Sequence, residues 1–190
     1  MTYKQITRLS EAKEMEELYN QSFIKDERIE FNRLLTAPFD GFILIGQYYE
    51  GKLVGMMHYI CKPEFVQLNY FAITPNTRGH GYGSKCLNWL KQQYPNKSIV
   101  VEVEDLDDEC DNNEYRKKRQ AFYNKNGLEK GLFNFWWEGV YMTCMHYLPI
   151  DRQAYLRHIS KIYTTAYNIV ELEDMQQYGE KDELTAEKAF

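Results

Sequence analysis

The stretch RGHGYGS, residues 78–84, has the residue types and spacing of an anion-binding loop. It follows a long apolar run and precedes a segment with helical periodicity, so it joins a predicted strand to a predicted helix. The first N–H groups of a helix have no intrahelical partner, and glycine lets the backbone approach a ligand closely. This glycine loop therefore predicts a phosphate site. The alternative is a tight turn that needs positive φ and binds nothing.

The spacing of the glycines separates several kinds of phosphate loop. The dinucleotide-binding pattern GxGxxG, begun at Gly79, needs a third glycine where Ser84 stands. The nucleotide-binding pattern GxxxxGK[ST] needs a lysine before the serine, whereas Lys85 follows it. A nucleotide site would also need a magnesium ligand beside the loop, and Ser84 alone is poor evidence for one.

The pattern Arg78-x-x-Gly81-x-Gly83 resembles the (Q/R)xxGx(G/A) signature of the GNAT superfamily of acetyl-CoA-dependent N-acetyltransferases. The surrounding sequence FAITPNTRGHGYGSKCLNWL is similar to the strand, loop and helix of that family. About forty residues later, AFYNKNGL resembles the family's (A)xxFYxKxGF stretch, with Leu128 where phenylalanine is commoner. The resemblance covers roughly residues 3–148 and implies a GNAT fold.

The resemblance implies acetyl-CoA as the co-substrate, with the pyrophosphate on the glycine loop and the pantetheine arm along the preceding strand. Arg116 stands where the family often has an asparagine that touches the pantetheine. The predicted cofactor-binding residues are Phe71, Ala72, Ile73, Arg78, Gly79, His80, Gly81, Tyr82, Gly83, Ser84, Arg116 and Tyr123.

The resemblance also implies that Tyr123 is the catalytic acid. Attack of an amine on the thioester expels the CoA thiolate, and a nearby tyrosine hydroxyl can protonate it. The alternative is an ordinary core tyrosine, in a chain with 16 of them.

Two carboxylates are candidates for the catalytic base, which an amine of pKa near 10 needs in order to become neutral. Alternation along a predicted strand at residues 97–104 places Glu102 and Glu104 on one face. Either side chain could accept the proton or hold a cationic substrate. His58 and His146 are rivals, and a mechanism based on proximity needs no dedicated base.

Two further features have both a functional and a structural interpretation. The segment EVEDLDDECD, residues 102–111, contains seven carboxylates. It is either a solvated loop or an acidic entrance to a substrate site that attracts a cation. Several aromatic residues either line a substrate pocket or belong to the core. These aromatic residues are Tyr48, Tyr49, Trp136, Trp137 and Tyr141.

The elements that must position these residues follow from hydrophobic periodicity. Strands are predicted at residues 3–9, 66–74 and 97–104, with hairpins turning at Glu50-Gly51 and Glu138-Gly139. Helices are predicted after a Ser10 cap and at residues 29–35, 84–94, 113–127 and 156–170. The order predicts a mixed α/β fold with a mostly antiparallel sheet of about six to seven strands.

Composition limits the classes of function. The net charge of −5 argues against a broad nucleic-acid surface. No apolar run approaches the ~20 residues of a membrane span, and no signal-peptide pattern is visible. The four cysteines form no CxxC pair, so we expect free thiols, no metal site and a cytoplasmic protein.

The sequence therefore predicts a GNAT acetyltransferase domain at residues 1–149 and a helical extension at residues 150–190, packed on or next to it. The expected reaction is acetyl transfer to the primary amine of a small cationic molecule. The alternative is a GNAT-like module that binds acyl-CoA without chemistry. The apolar face of the last helix makes a homodimer possible.

Overall fold

The computed structural model describes residues 1–36, 41–106, 110–137 and 140–166. The chain divides into two compact units, Met1–Ile99 and Val100–Phe190. This division differs from the boundary predicted at residue 149, which stays a prediction.

The first unit contains an antiparallel sheet in the order β1-β2-β3-β4. Its elements are β1 (Thr2–Ile6), α1 (Lys13–Ser22), α2 (Arg33–Thr36), β2 (Phe42–Tyr49), β3 (Lys52–Cys61), β4 (Phe65–Ile73) and α3 (Tyr82–Gln93). Short 3₁₀ turns lie at Leu9–Glu11, Lys25–Glu27 and Pro75–Thr77.

The predicted hairpin between β2 and β3 is confirmed, with Tyr49 opposite Lys52. Its two turn residues, Glu50 and Gly51, have φ of 50° and 77°. Two central residues with positive φ are what a type I′ turn requires, and that turn matches the twist of the strands.

A bulge interrupts β4 in the strand that leads to the glycine loop. His58 lies opposite Tyr70, and the next residue, Tyr59, lies opposite Leu68, so Asn69 has no counterpart on β3. Bulges re-aim side chains and are common beside active sites.

Two predictions near the N-terminus are wrong. Ser10 lies inside the turn Leu9–Glu11, and α1 begins at Lys13 after Ala12, which has no capping side chain. The second helix begins at Arg33 instead of residue 29. The Tyr19 hydroxyl donates to the Ile29 carbonyl at 3.0 Å, and this long-range bond engages backbone that a helix would use.

The second unit contains the strand order β5-β7-β6, with both pairings antiparallel. Its elements are β5 (Ser98–Glu104, which starts two residues before the division), α4 (Asn113–Lys125), β6 (Glu129–Trp137), β7 (Val140–His146) and α5 (Arg152–Ala166). The mixed α/β class with a mostly antiparallel sheet is confirmed, with seven strands in the described part of the chain. The predicted turn at Glu138-Gly139 lies outside the described residues, as does the chain beyond residue 166.

Candidate active site

The glycine loop joins β4 to α3 and contains two residues in the left-handed region. Gly79 has φ of 82°, and Gly81, the N-cap residue of α3, has φ of 77°. A Cβ at either position would meet no atom within 4 Å. Glycine is therefore required by the backbone conformation and not by crowding, and the loop backbone borders open space.

The first turn of α3 is suited to an anion. Its N-cap residue, Gly81, has no side chain to accept a bond from the first N–H groups, and the first helical bond runs from Lys85 N to Gly81 O at 3.1 Å. The N–H groups of Tyr82, Gly83 and Ser84 lie at the positive end of a twelve-residue helix. Such a helix start can bind phosphate.

Two side chains from other strands, the half-buried Tyr3 and the buried Gln47, fix the start of α3. Tyr3 on β1 donates to the Lys85 carbonyl at 3.0 Å and stacks on Trp89 at 4.4 Å, and Gln47 on β2 donates to the Tyr82 carbonyl at 2.9 Å. Burial raises the pKa of Tyr3 to about 12, so its hydroxyl stays a neutral donor. No local sequence pattern indicates these contacts, because they join residues 35 and 82 positions apart.

Two predicted phosphate ligands also hold the loop together. Arg78 Nε donates to the Ile73 carbonyl at the end of β4, 3.1 Å away. His80 Nδ1 lies 3.0 Å from the Arg78 carbonyl and 3.2 Å from the Thr77 carbonyl. The loop is therefore closed by its own side chains before any ligand binds.

The three strand residues predicted to meet the pantetheine arm lie at the end of β4. Phe71, Ala72 and Ile73 pair with Met57, Met56 and Gly55 of β3. Ala72 is buried, and the other two side chains are half-buried.

In the second unit, Glu104 is held by two arginines of α4. Its carboxylate oxygens lie 3.4 Å from Arg116 and 2.6 Å from Arg119, and Asn112 donates to it at 3.2 Å. Arg116 is itself buried and also donates to the Asp105 carbonyl at 2.9 Å. These contacts fasten α4 to the end of β5 and give Arg116 a structural partner that the sequence did not reveal.

Glu102, two residues earlier on β5, contacts a different helix. The hydroxyl of Tyr155 on α5 donates to Glu102 Oε1 at 3.0 Å. Cys144 of β7 lies opposite Glu102, and burial, with the Glu102 charge adding to it, raises the pKa of the Cys144 thiol well above its ordinary value. The two glutamates predicted as candidate bases thus have different environments.

Tyr123 lies near the C-terminal end of α4 with only 8% of its surface exposed. The Tyr123 carbonyl accepts bonds from the backbone of Asn126 and Leu128, both at 3.0 Å. Gly127, with φ of 77°, allows this tight exit from the helix. The backbone that carries the tyrosine is therefore fixed.

The rival bases are in poor positions for proton transfer. His58 is fully buried, and burial lowers its pKa to about 3, with a weak opposing contact to the Leu34 backbone. Neither ring nitrogen of His58 has a partner with full hydrogen-bond geometry among the described residues. His146 is half-buried, with Nδ1 3.1 Å from the Leu148 carbonyl.

The acidic segment is only partly described, because residues 107–109 lie outside the described ranges. Burial alone would raise the pKa of Asp105, but the hydrogen bond from Lys130 at 2.5 Å and neighbouring donors outweigh it and lower that pKa. Among the aromatic residues, Trp136 contacts Tyr141 at 5.1 Å and Tyr49 contacts Tyr82 of the glycine loop at 5.6 Å.

The sequence model of the acetyltransferase (GNAT) family matches residues 12–128. The chain belongs to this family. The predicted resemblance is thereby confirmed, and the protein is an acetyltransferase of GNAT fold. Enzymes of this family use acetyl-CoA as the acyl donor.

Solved structures share the fold of this chain. A GNAT-family protein from Bacteroides thetaiotaomicron is 26% identical, with a TM-score of 0.71 over 90% of this chain and 100% of that chain. An aminoglycoside 6'-N-acetyltransferase in complex with coenzyme A is 16% identical, with a TM-score of 0.59 over 80% and 99%. The aminoglycoside 6'-N-acetyltransferase from Enterococcus faecium is 15% identical, with a TM-score of 0.57 over 80% and 99%. No curated protein matches the chain.

Two properties of the described residues bear on membranes and metals. In residues 1–36, 41–106, 110–137 and 140–166, no helix is both long and apolar enough to cross a membrane. Of the side chains that the structure describes, no three His, Cys, Asp or Glu are placed to hold a metal ion.

Proposed function

We propose that this GNAT acetyltransferase transfers the acetyl group of acetyl-CoA to the primary amine of a small cationic molecule. The observation that carries the proposal is the glycine loop, in which Gly79 and Gly81 turn the backbone ahead of an uncapped α3. The CoA pyrophosphate matches this site in charge, because helix N-termini favour anions. Residues 78–84 then hold the pyrophosphate, and residues 71–73 offer backbone groups to the pantetheine arm.

In this reaction the amine nitrogen attacks the thioester carbonyl carbon, a C–N bond forms and the C–S bond breaks. The leaving CoA thiolate takes a proton from the Tyr123 hydroxyl, and the proton lost by the amine goes to Glu102. Two hydrogen bonds to the Tyr123 carbonyl fix the backbone that carries this side chain, and the residue is 8% exposed.

Of the two predicted bases, we assign proton transfer to Glu102 and an anchoring role to Glu104. Two guanidinium groups hold the Glu104 carboxylate, so its negative charge is committed to α4. Glu102 accepts from the neutral hydroxyl of Tyr155, which orients a carboxylate without neutralising it. In this assignment the main role of Arg116 is structural: it holds Glu104 against α4. Binding of the pantetheine is not its main role.

Direct attack, without a covalent acyl-enzyme, agrees with the state of the buried cysteines. Burial raises the pKa of the Cys86 thiol, and burial together with Glu102 raises that of Cys144. A thiol attacks as the thiolate, so neither residue is suited to act as a nucleophile.

The net charge of the chain supports a cationic acceptor. The chain carries a net charge of −5, and a field of that sign attracts cations. Two of its structural neighbours are named for aminoglycosides, which supports a polyamine or aminoglycoside type of acceptor.

The test is an amine screen with acetyl-CoA, in which thiol release is followed and the N-acetyl product is identified by mass spectrometry. The panel contains spermidine, kanamycin, free lysine and a peptide with a free N-terminus. We expect turnover with spermidine or kanamycin that greatly exceeds turnover with the peptide. A preference for the peptide would contradict the small-cation assignment, and acetyl-CoA binding without turnover of any amine would favour a non-catalytic acyl-CoA module.

A further inference from the structure

We infer that Tyr155, on helix α5, is a positioning residue for Glu102 during acetyl transfer. The inference rests on the proposed role of Glu102 as the group that accepts the proton of the amine. Helix α5 lies beyond residues 12–128, which match the family model, so the matched pattern does not supply this tyrosine.

The geometry is that of a held carboxylate. The Tyr155 hydroxyl donates to Glu102 Oε1 at 3.0 Å across 53 positions of sequence. Tyr155 is fully buried, and Ile159, one turn further along the same helix, is also fully buried. A ring packed in this way has no freedom to move its hydroxyl away from the strand.

The start of α5 is also fixed. Asp151 Oδ1 accepts from the backbone of Gln153 at 2.9 Å and of Ala154 at 3.3 Å, which is the pattern of an N-cap. The Tyr155 backbone N–H donates to the Asp151 carbonyl at 3.1 Å. The tyrosine therefore stands on the first turn of an anchored helix.

The chemistry of the contact suits a proton acceptor. An ionised carboxylate has about four acceptor positions, and the bond from Tyr155 to Oε1 uses one of them and restrains the rotamer of the side chain. Tyrosine is a neutral donor, whereas the Glu104 carboxylate two residues away is held by cations. The bond from α5 thus orients the carboxylate of Glu102 and itself adds no positive charge.

The experiment is a double-mutant cycle on kcat, with spermidine or kanamycin, whichever is the better acceptor, and saturating acetyl-CoA. Tyr155→Phe removes one oxygen and should lower kcat about tenfold, with an unchanged KM for acetyl-CoA. In the Glu102→Gln background, the same change should alter kcat less than about twofold, because the pair acts as a unit. Replacing Tyr155 by 4-aminophenylalanine, which keeps the ring and a donor, should restore most of kcat.

The matched control is Ser160→Ala, on the same helix. Ser160 is buried and donates its hydroxyl to the Leu156 carbonyl at 2.8 Å, so its replacement removes a buried polar group from α5 and leaves the Tyr155 hydroxyl in place. We expect kcat within about twofold of wild type for this variant.

Three results would distinguish failure of the positioning role of Tyr155 from failure of Glu102 as the proposed base. If Glu102→Gln lowers kcat and Tyr155→Phe does not, the positioning role is wrong and the proposed function stands. An equal loss from Tyr155→Phe in both backgrounds would also overturn positioning, since it would show a general structural effect. If Glu102→Gln leaves kcat unchanged, the proposed base is wrong, and the positioning role falls with it.

Discussion

At the residue scale, Tyr123 is the side chain whose hydroxyl the proposed chemistry needs. Tyr123→Phe should lower kcat by about a hundredfold, the range expected for loss of a general acid, and leave the Kd of acetyl-CoA unchanged. Steady-state kinetics and calorimetry measure the two quantities. Tyr115→Phe is the control, because Tyr115 lies on the same helix and is 71% exposed. An unchanged kcat for Tyr123→Phe would remove the acid assignment.

The two glutamates of β5 should respond in opposite ways to the same substitution. Glu104→Gln removes the charge facing the buried Arg116 and should lower the free energy of unfolding by about 1–3 kcal/mol. Glu102→Gln should leave stability nearly unchanged and reduce kcat. Urea denaturation and kinetics on both variants test this, and the reverse pattern would exchange the roles that we assign.

At the element scale, the glycine loop and α3 form the proposed binding site for the CoA pyrophosphate. Gly81→Ala forces a Cβ into the left-handed region and should cost about 1–2 kcal/mol of stability. Gly83 lies inside the first turn of α3, where alanine favours helix by about 0.5–1 kcal/mol. Gly83→Ala should therefore retain or raise stability, while its methyl group weakens CoA binding where phosphate approaches the backbone.

The control for this pair is Gly51→Ala in the hairpin turn. Gly51 has the same φ of 77° as Gly81 and equally open surroundings. The Gly51→Ala variant should lose about as much stability as Gly81→Ala in thermal unfolding and keep full CoA affinity. If Gly83→Ala binds CoA as tightly as wild type, the first turn of α3 does not contact the cofactor.

The elements also show which parts of the structure could be predicted from the sequence alone. The hairpin at Glu50-Gly51 and the glycine loop were predictable, because turns depend on local residue types. The clamp of Glu104 by α4 and the bond from Tyr155 to Glu102 were not, because they are tertiary contacts between distant segments. The early start predicted for α2 failed for the same reason, since the hydroxyl of Tyr19 engages the Ile29 carbonyl.

At the scale of the whole molecule, the buried His58 should make stability depend on pH. Its pKa falls from 6.5 to about 3 on folding, so the unfolded chain binds more protons between these values. The stability that depends on a neutral, buried His58 is fully present above pH 6.5 and is lost progressively as the pH falls towards 3. Between pH 6.5 and 5 the loss should be about 2 kcal/mol.

Urea denaturation at several pH values measures this dependence, with His58→Met as the comparison. The variant cannot take up a proton at this position, so its stability should fall less over the same interval. Equal slopes for the two proteins would show that His58 does not control the acid response.

The binding of acetyl-CoA by the glycine loop is the central claim, and a thermal shift tests it most directly. Wild type and Gly83→Ala are each melted with acetyl-CoA, CoA or ATP at equal concentrations. A ligand at 100 times its Kd adds about 2.7 kcal/mol, so we predict a clear rise in Tm for wild type with acetyl-CoA and CoA, no rise with ATP, and a much smaller rise for Gly83→Ala. No rise of the wild-type Tm with either CoA form, or an equal rise for the variant, would contradict the claim.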